Sequence, residues 1–211
     1  MDSRIAILGL ITLGVAALRG SPARAQTRAG SQDLQIYAGE MFGDRLTGSP
    51  LTGRYPLLND DVVFGGRYTY NFADQWGLQL SAGYSPGRAA GVAGGDSDLG
   101  LTAADLDVVW NITPGFTFGG HALVPYTELG VGYAWANLNH PLYGVVGTTR
   151  MAIADSNGYT ANAGFGAKYY LTSNFFVDFD ARYRYLSKLI NNDSRGLNSG
   201  ETTLSVGYQF R

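Results

Sequence analysis

The sequence predicts an all-β fold, an eight-stranded antiparallel up-and-down transmembrane barrel, apolar outside and polar or charged inside. Three observations predict it. The N-terminal segment has the grammar of an export signal, eight later segments alternate with a period of two, and the links between them alternate in length.

The first segment sets the destination. Met1 to Arg4 is short and polar, Ile5 to Leu18 is almost wholly apolar, and Ala23-Arg24-Ala25 supplies small residues in an A-x-A cleavage pattern. These are the three parts of a secretory signal peptide, although Asp2 offsets part of the positive charge. The apolar stretch is also shorter than the roughly 20 residues a spanning helix needs. The expected organisation is therefore a cleaved signal over residues 1–25 and a single barrel domain over residues 26–211.

Eight strands follow. The opening one, Leu34 to Phe42, is the least patterned, its two faces differing mainly at Glu40. Val62 to Phe72 sets Phe64, Tyr68, Tyr70 and Phe72 against Arg67, Thr69 and Asn71. Trp76 to Tyr84 sets Trp76, Leu78, Leu80 and Tyr84 against Gly77, Gln79, Ser81 and Gly83. In Ala104 to Ile112, Leu106, Val108 and Trp110 oppose Asp105 and Asp107. In Leu123 to Trp135, Leu129, Val131, Tyr133 and Trp135 oppose Tyr126, Glu128, Gly130 and Gly132. Tyr159 to Leu171 sets Phe165 and Tyr169 against Asn162, Gly164, Gly166 and Lys168. Val177 to Tyr185 sets Val177, Phe179, Tyr183 and Tyr185 against Asp178, Asp180, Arg182 and Arg184. Thr202 to Phe210 sets Leu204, Val206, Tyr208 and Phe210 against Thr203, Ser205, Gly207 and Gln209. Strict alternation marks strands with one apolar and one polar face.

Short links are expected at Ala73 to Gln75, Thr113 to Gly119 and Thr172 to Asn174. Long ones are expected at Asp44 to Asp61, Ser85 to Gly100, Ala136 to Gly158 and Leu186 to Gly200. Short periplasmic turns and longer outer loops are the habit of outer-membrane barrels. Period alone does not say which face points inward. The export signal, the loop asymmetry and aromatics at strand ends favour the apolar face toward lipid. Phe72, Trp76, Trp110, Tyr169 and Phe210 would then line the periplasmic interface, and Tyr84, Tyr133, Trp135, Tyr183 and Tyr185 the outer one. The interior charge set becomes Glu40, Arg67, Asp105, Asp107, Glu128, Lys168, Asp178, Asp180, Arg182 and Arg184. Expected pairs are Arg67 with Glu40, Lys168 with Asp178, and Arg182 and Arg184 with Glu128, Asp105 or Asp107. Inward glycines would leave room for these long side chains.

Composition agrees. Glycine makes up 30 of 211 residues, about twice its usual share. There is no cysteine, which excludes disulfides and thiolate metal sites. A net charge of −2 offers no basic stripe for nucleic acid.

The run Pro125-Tyr126-Thr127-Glu128-Leu129-Gly130-Val131-Gly132-Tyr133 resembles the central strand of the outer-membrane barrel families related to the OmpA transmembrane domain and OmpX. Gly164 to Thr172, Asp178 to Tyr185 and the ending Gly207-Tyr208-Gln209-Phe210 are similar to the strands that follow. The resemblance implies residence in a bacterial outer membrane and contact with lipid and lipopolysaccharide. It also implies recognition of the last strand by the barrel-assembly machinery, and loops that meet host molecules or phage. Arg211 after Phe210 departs from the family's usual aromatic ending.

The leading expectation for function is a structural or surface-interaction barrel without catalysis, metal or cofactor. A narrow solute or ion channel is the first alternative, and a lipid A-modifying enzyme the second. The enzyme would need base, nucleophile and orienting acid within hydrogen-bond reach. The only histidines are His121, near a short turn, and His140, in a loop with Asp155 and Ser156. Mass spectrometry of the exported protein is expected to find Gln26 as its first residue.

Overall fold

The computed structural model describes residues 28–45, 57–90, 97–112, 115–139, 142–146, 149–153, 156–187 and 196–210. The expected signal segment and His140 lie outside these residues. Eight long strands form the wall: β1 (Gln32–Phe42), β2 (Asp61–Asn71), β3 (Trp76–Ala90), β4 (Ser97–Asn111), β5 (His121–Leu138), β6 (Ser156–Tyr170), β7 (Phe175–Leu186) and β8 (Leu197–Phe210). Each pairs antiparallel with its chain neighbours, and β1 pairs with β8, from Gln32 opposite Phe210 to Phe42 opposite Gly200. The ring is closed. Closure is what lipid demands, because the hydrocarbon offers no hydrogen bonds to a free strand edge. No described helix is long and apolar enough to cross a membrane; here the crossing is made by strands.

Parity then sorts the side chains. Leu129, Val131 and Phe165 are 69%, 64% and 63% exposed on the outer wall, whereas Asp107 and Thr69 are fully buried inside. A water-soluble barrel has the reverse arrangement.

At one end the links are tight. Ala73 and Trp76 exchange backbone hydrogen bonds of 3.1 and 3.3 Å across the β2–β3 turn. The Thr172 hydroxyl accepts from the Phe175 amide (2.9 Å) in the β6–β7 turn. The third short link contains a small strand, Phe116–Phe118, which folds back on the start of β5. Its two-residue turn places Gly119 and Gly120 at φ 60° and 83°, the double positive φ that a tight hairpin of this kind needs.

At the other end the ladders run further than hydrophobic alternation indicates. β3 reaches Ala90 and β4 starts at Ser97, inside the expected Ser85 to Gly100 link. Likewise β5 reaches Leu138, β6 begins at Ser156 and β8 begins at Leu197. Above the lipid the outer face need not be apolar, so Pro86, Arg88 and Asp98 break the alternation while backbone pairing continues. Residues 57–58 add a short rung beside β3, and residues 142–146 and 149–153 form a separate hairpin.

A lysine at Leu129 would place a charge midway along a lipid-facing strand. Leu129→Lys is expected to lower folding stability in phospholipid vesicles by about 2–4 kcal/mol, measured by reversible denaturant titration. Asn139→Lys, beyond the end of β5, should change it little.

Candidate functional site, a charge-filled lumen

The inward side chains stack in layers. Nearest the tight turns, Val124, Tyr170 and Phe176 form a buried apolar cluster. Just above it, Lys168 Nζ lies 2.6 Å from Asp33 Oδ2, crossing the lumen from β6 to β1. Its ammonium also lies 5.4 Å from the Phe176 ring centre and 5.7 Å from that of Tyr126. Beside it the side-chain amides of Asn71 and Gln209 both donate to the Ser31 hydroxyl.

The middle layer is held by three arginines, Arg67 from one wall and Arg182 and Arg184 from the other. Arg67 on β2 donates to Asp180 at 2.7 Å and Thr203 at 3.1 Å. Asp178 stands 3.9 Å from its second nitrogen, and the Tyr37 ring lies beneath the guanidinium at 4.5 Å. The Tyr126 hydroxyl donates to Asp178 at 3.0 Å. Arg182 on β7 donates through Nε to Glu128 at 2.7 Å and approaches Asp105 and Asp107 at 3.5 Å. Arg184 donates to Asp105 at 2.6 Å and also pairs with Glu201.

Among the described residues the buried carboxylates (Asp33, Asp105, Asp107, Glu128, Asp178, Asp180, Glu201) outnumber the buried cations (Arg67, Lys168, Arg182, Arg184). Neutral donors make up the difference. Gln79 donates to Glu128 at 2.9 Å, Asn162 to Asp107 at 2.9 Å, and Thr160 to Asp105 at 2.7 Å. Above this layer a second apolar cluster closes the lumen, with Tyr37, Met41, Leu58, Leu99, Leu101, Leu186 and Leu197 among its members.

Glycines make the packing possible. Asp105 stands opposite Gly132 and Asp107 opposite Gly130. Glu128 and Arg182 flank Gly164 from either side, and Asp180 stands opposite Gly166. A Cβ at Gly130 or Gly132 would collide with the facing carboxylate.

Two expected placements need correction. Glu40 does not face Arg67. It is exposed, sharing the outward parity of Leu34 and Ile36, while the register sets Arg67 beside Gln35. Lys168 does stand opposite Asp178 in register, but its ammonium reaches Asp33 instead, and the Tyr126 hydroxyl takes Asp178. Asp33 itself went unnoticed because β1 begins at Gln32, two residues before the hydrophobic pattern becomes visible. The inward Tyr37 and Glu201 were missed for a related reason, lying where alternation is weak.

All ten aromatics expected at the interfaces project outward. Trp76 and Trp110 stack at 6.3 Å near the tight turns. Tyr133 packs edge-on with Trp135 (5.0 Å) and Tyr159 (5.4 Å) toward the other end. The Tyr133 and Tyr183 hydroxyls donate to Asn157 and Asn198, each at 2.7 Å.

The match to the outer membrane protein beta-barrel domain covers residues 5–210. The chain belongs to this family. Three solved outer-membrane barrels share the fold at low identity. The Neisserial surface protein NspA aligns at 17% identity with a TM-score of 0.57, over 86% of this chain and 99% of that one. Ail of Yersinia pestis aligns at 22% and 0.50, over 86% and 99%. OprG of Pseudomonas aeruginosa aligns at 21% and 0.50, over 88% and 99%. A search of curated protein sequences returns no match.

Within this outer-membrane barrel, removing Arg182 would leave Glu128, Asp105 and Asp107 short of their shared cation. Breaking a buried pair from one side costs about 3–5 kcal/mol. Arg182→Met is expected to lose stability on that scale in vesicle-based unfolding, whereas Glu40→Gln, out on the wall, should stay within about 0.5 kcal/mol of the parent.

Proposed function

We propose that this protein is a structural and surface-interaction barrel of the bacterial outer membrane rather than an open pore. The observation that carries this reading is the filled lumen, with ion pairs cross-linked between opposite walls and an apolar cluster at each end. Eight strands enclose a space about wide enough for side chains to fill. Recognition then belongs to the outer wall and the loops. The leader over residues 1–25 would direct export and be removed. The two aromatic belts would sit at the headgroup levels against lipid and lipopolysaccharide. The last strand, ending at Phe210, would be the segment offered to the assembly machinery.

Ail, one of the structures sharing this fold, has been captured in complex with the heparin analogue sucrose octasulfate, which supports surface contacts as the kind of role such a barrel plays. A non-enzymatic role fits the geometry of His121, whose Nδ1 meets the Tyr170 carbonyl at 3.1 Å and whose ring lies 5.4 Å from that of Tyr169. Among the described residues no serine or carboxylate is hydrogen-bonded to His121.

One observation favours the channel as a second reading. Asp33 Oδ1, Asp178 Oδ1, Arg67 Nε and Arg184 Nε are buried without hydrogen-bond partners, and such positions are commonly satisfied by internal water. Planar-bilayer recording separates the two. The surface-interaction reading expects no single-channel conductance from the parent protein. A steady conductance that Arg182→Met alters would replace it with a gate built on salt-bridge exchange.

A further inference from the structure

The outer wall carries a cleft of about 630 Å³ just beyond the belt residue Tyr84, between the start of β2, the projecting β3–β4 hairpin and the end of β5. Its volume is in the range of small-molecule sites. Of its lining residues Tyr84, Arg88 and Asp98 share the outward parity while Asp61, Gly87 and Leu99 carry the inward one, so the cleft lies at the rim where the outer wall meets the upper apolar cluster. The geometry points to a binding site for the hydroxyl-bearing face of a saccharide ring.

Polarity selects the ligand class. Three acidic residues, Asp60, Asp61 and Asp98, and one basic residue, Arg88, line the cleft, and the exposed Arg88 Nε lies 3.5 Å from Asp98. Asn139 also donates to Asp98, at 3.3 Å. Asp60 Oδ1 is held by the Gly43 amide at 2.9 Å. Ionised carboxylates only accept hydrogen bonds, so they call for a ligand that brings donors. Sugar hydroxyls do; phosphate and sulfate esters bring further negative charge and are repelled.

The aromatic component is equally defined. The Phe64 ring packs edge-on against Tyr84 at 5.6 Å. On its other side Tyr84 lies across Gly100, where an added Cβ would stand 3.1 Å from the phenol oxygen. The ring is thus held against the wall by a glycine and a neighbouring aromatic, with 39% of the residue exposed. A braced, amphipathic ring gives the apolar face of a sugar a surface to pack on.

The occupant is either a glycolipid sugar emerging from the outer leaflet or a free glycan, and both present the same hydroxyl chemistry. This inference rests on the surface-interaction reading, in which the wall beyond the belt meets the outside of the cell. Saturation-transfer NMR on the full barrel in phospholipid nanodiscs tests it, with maltotriose as the soluble probe and sucrose octasulfate as the polyanionic one. A second set of nanodiscs carries lipopolysaccharide with an O-antigen of neutral sugars, which present hydroxyls free of the phosphates of the core and lipid A. Transfer to maltotriose is expected, weakened at least tenfold in both Tyr84→Ala and Asp98→Asn and retained in Tyr84→Phe, with none to sucrose octasulfate. Transfer to lipopolysaccharide sugars alone, with the same dependence on the variants, also supports the site and assigns its source to the membrane. Three results overturn it: no transfer to either sugar source, transfer indifferent to both variants, or equal transfer to sucrose octasulfate. Heat-modifiable gel mobility confirms that each variant is folded. Failure of the surface-interaction reading would show separately, as conductance.

Discussion

The whole structure depends on one spatial constraint: an eight-stranded ring has little room inside, and everything pointing inward must fit and be paired. Two bulky inward groups facing each other across neighbouring strands would not fit. The sequence meets this by setting large against small, with Asp105 and Asp107 opposite Gly132 and Gly130, and Glu128 and Arg182 sharing Gly164. Glycine's usual cost in a strand, lost chain entropy without side-chain packing, is offset here because the vacated space is taken by the neighbour's carboxylate. The abundance of glycine and the charge of the lumen are therefore a single feature.

Polar filling brings its own difficulty. Buried ions are costly unless paired and fully hydrogen-bonded. The network answers with ties that span the barrel: Lys168 on β6 to Asp33 on β1, Arg67 on β2 to Asp180 on β7, and Arg182 on β7 to Glu128 on β5 and to Asp105 and Asp107 on β4. Such pairs connect strands that are not hydrogen-bonded neighbours. A slip of one residue would carry a whole strand's charges to the lipid face, so the network also penalises wrong registers. The apolar clusters at each end then limit the access of bulk water. Electrostatic attraction is stronger in the lower dielectric that results, and the plugs and the ion pairs support one another.

Much of this was legible from period alone. Alternation with a repeat of two identified every wall strand, and parity assigned Arg67, Asp105, Asp107, Glu128, Lys168, Asp178, Asp180, Arg182 and Arg184 to one face. Partner choice was not legible, because it depends on distance across the lumen and not along a ladder. Lys168 has Asp178 beside it in register and still reaches Asp33. Glu40 shows the opposite failure: a charge in a weakly patterned strand was assigned inward on chemistry, when its parity with Leu34 and Ile36 already placed it outward. The upper apolar cluster was hidden too. Leu99, Leu101 and Leu197 fall where outward residues turn polar, so the contrast that reveals a strand fades just where the inner face becomes apolar.

The same period separates two tasks that share one length of chain. Along β4, Leu99 and Leu101 turn inward to the plug while Asp98 and Gly100 turn outward to the cleft. A ligand seated against Tyr84 and Asp98 touches the even-numbered side of β3 and β4, while the odd-numbered side seals the lumen and meets the cleft only at Gly87 and Leu99. Movement of a strand sufficient to couple them would break backbone pairing with both neighbours. A closed ring resists this, since no free edge exists to take up the displacement. The rigid interior thus acts as a fixed support for whatever the outer wall binds, and recognition there proceeds without opening the barrel.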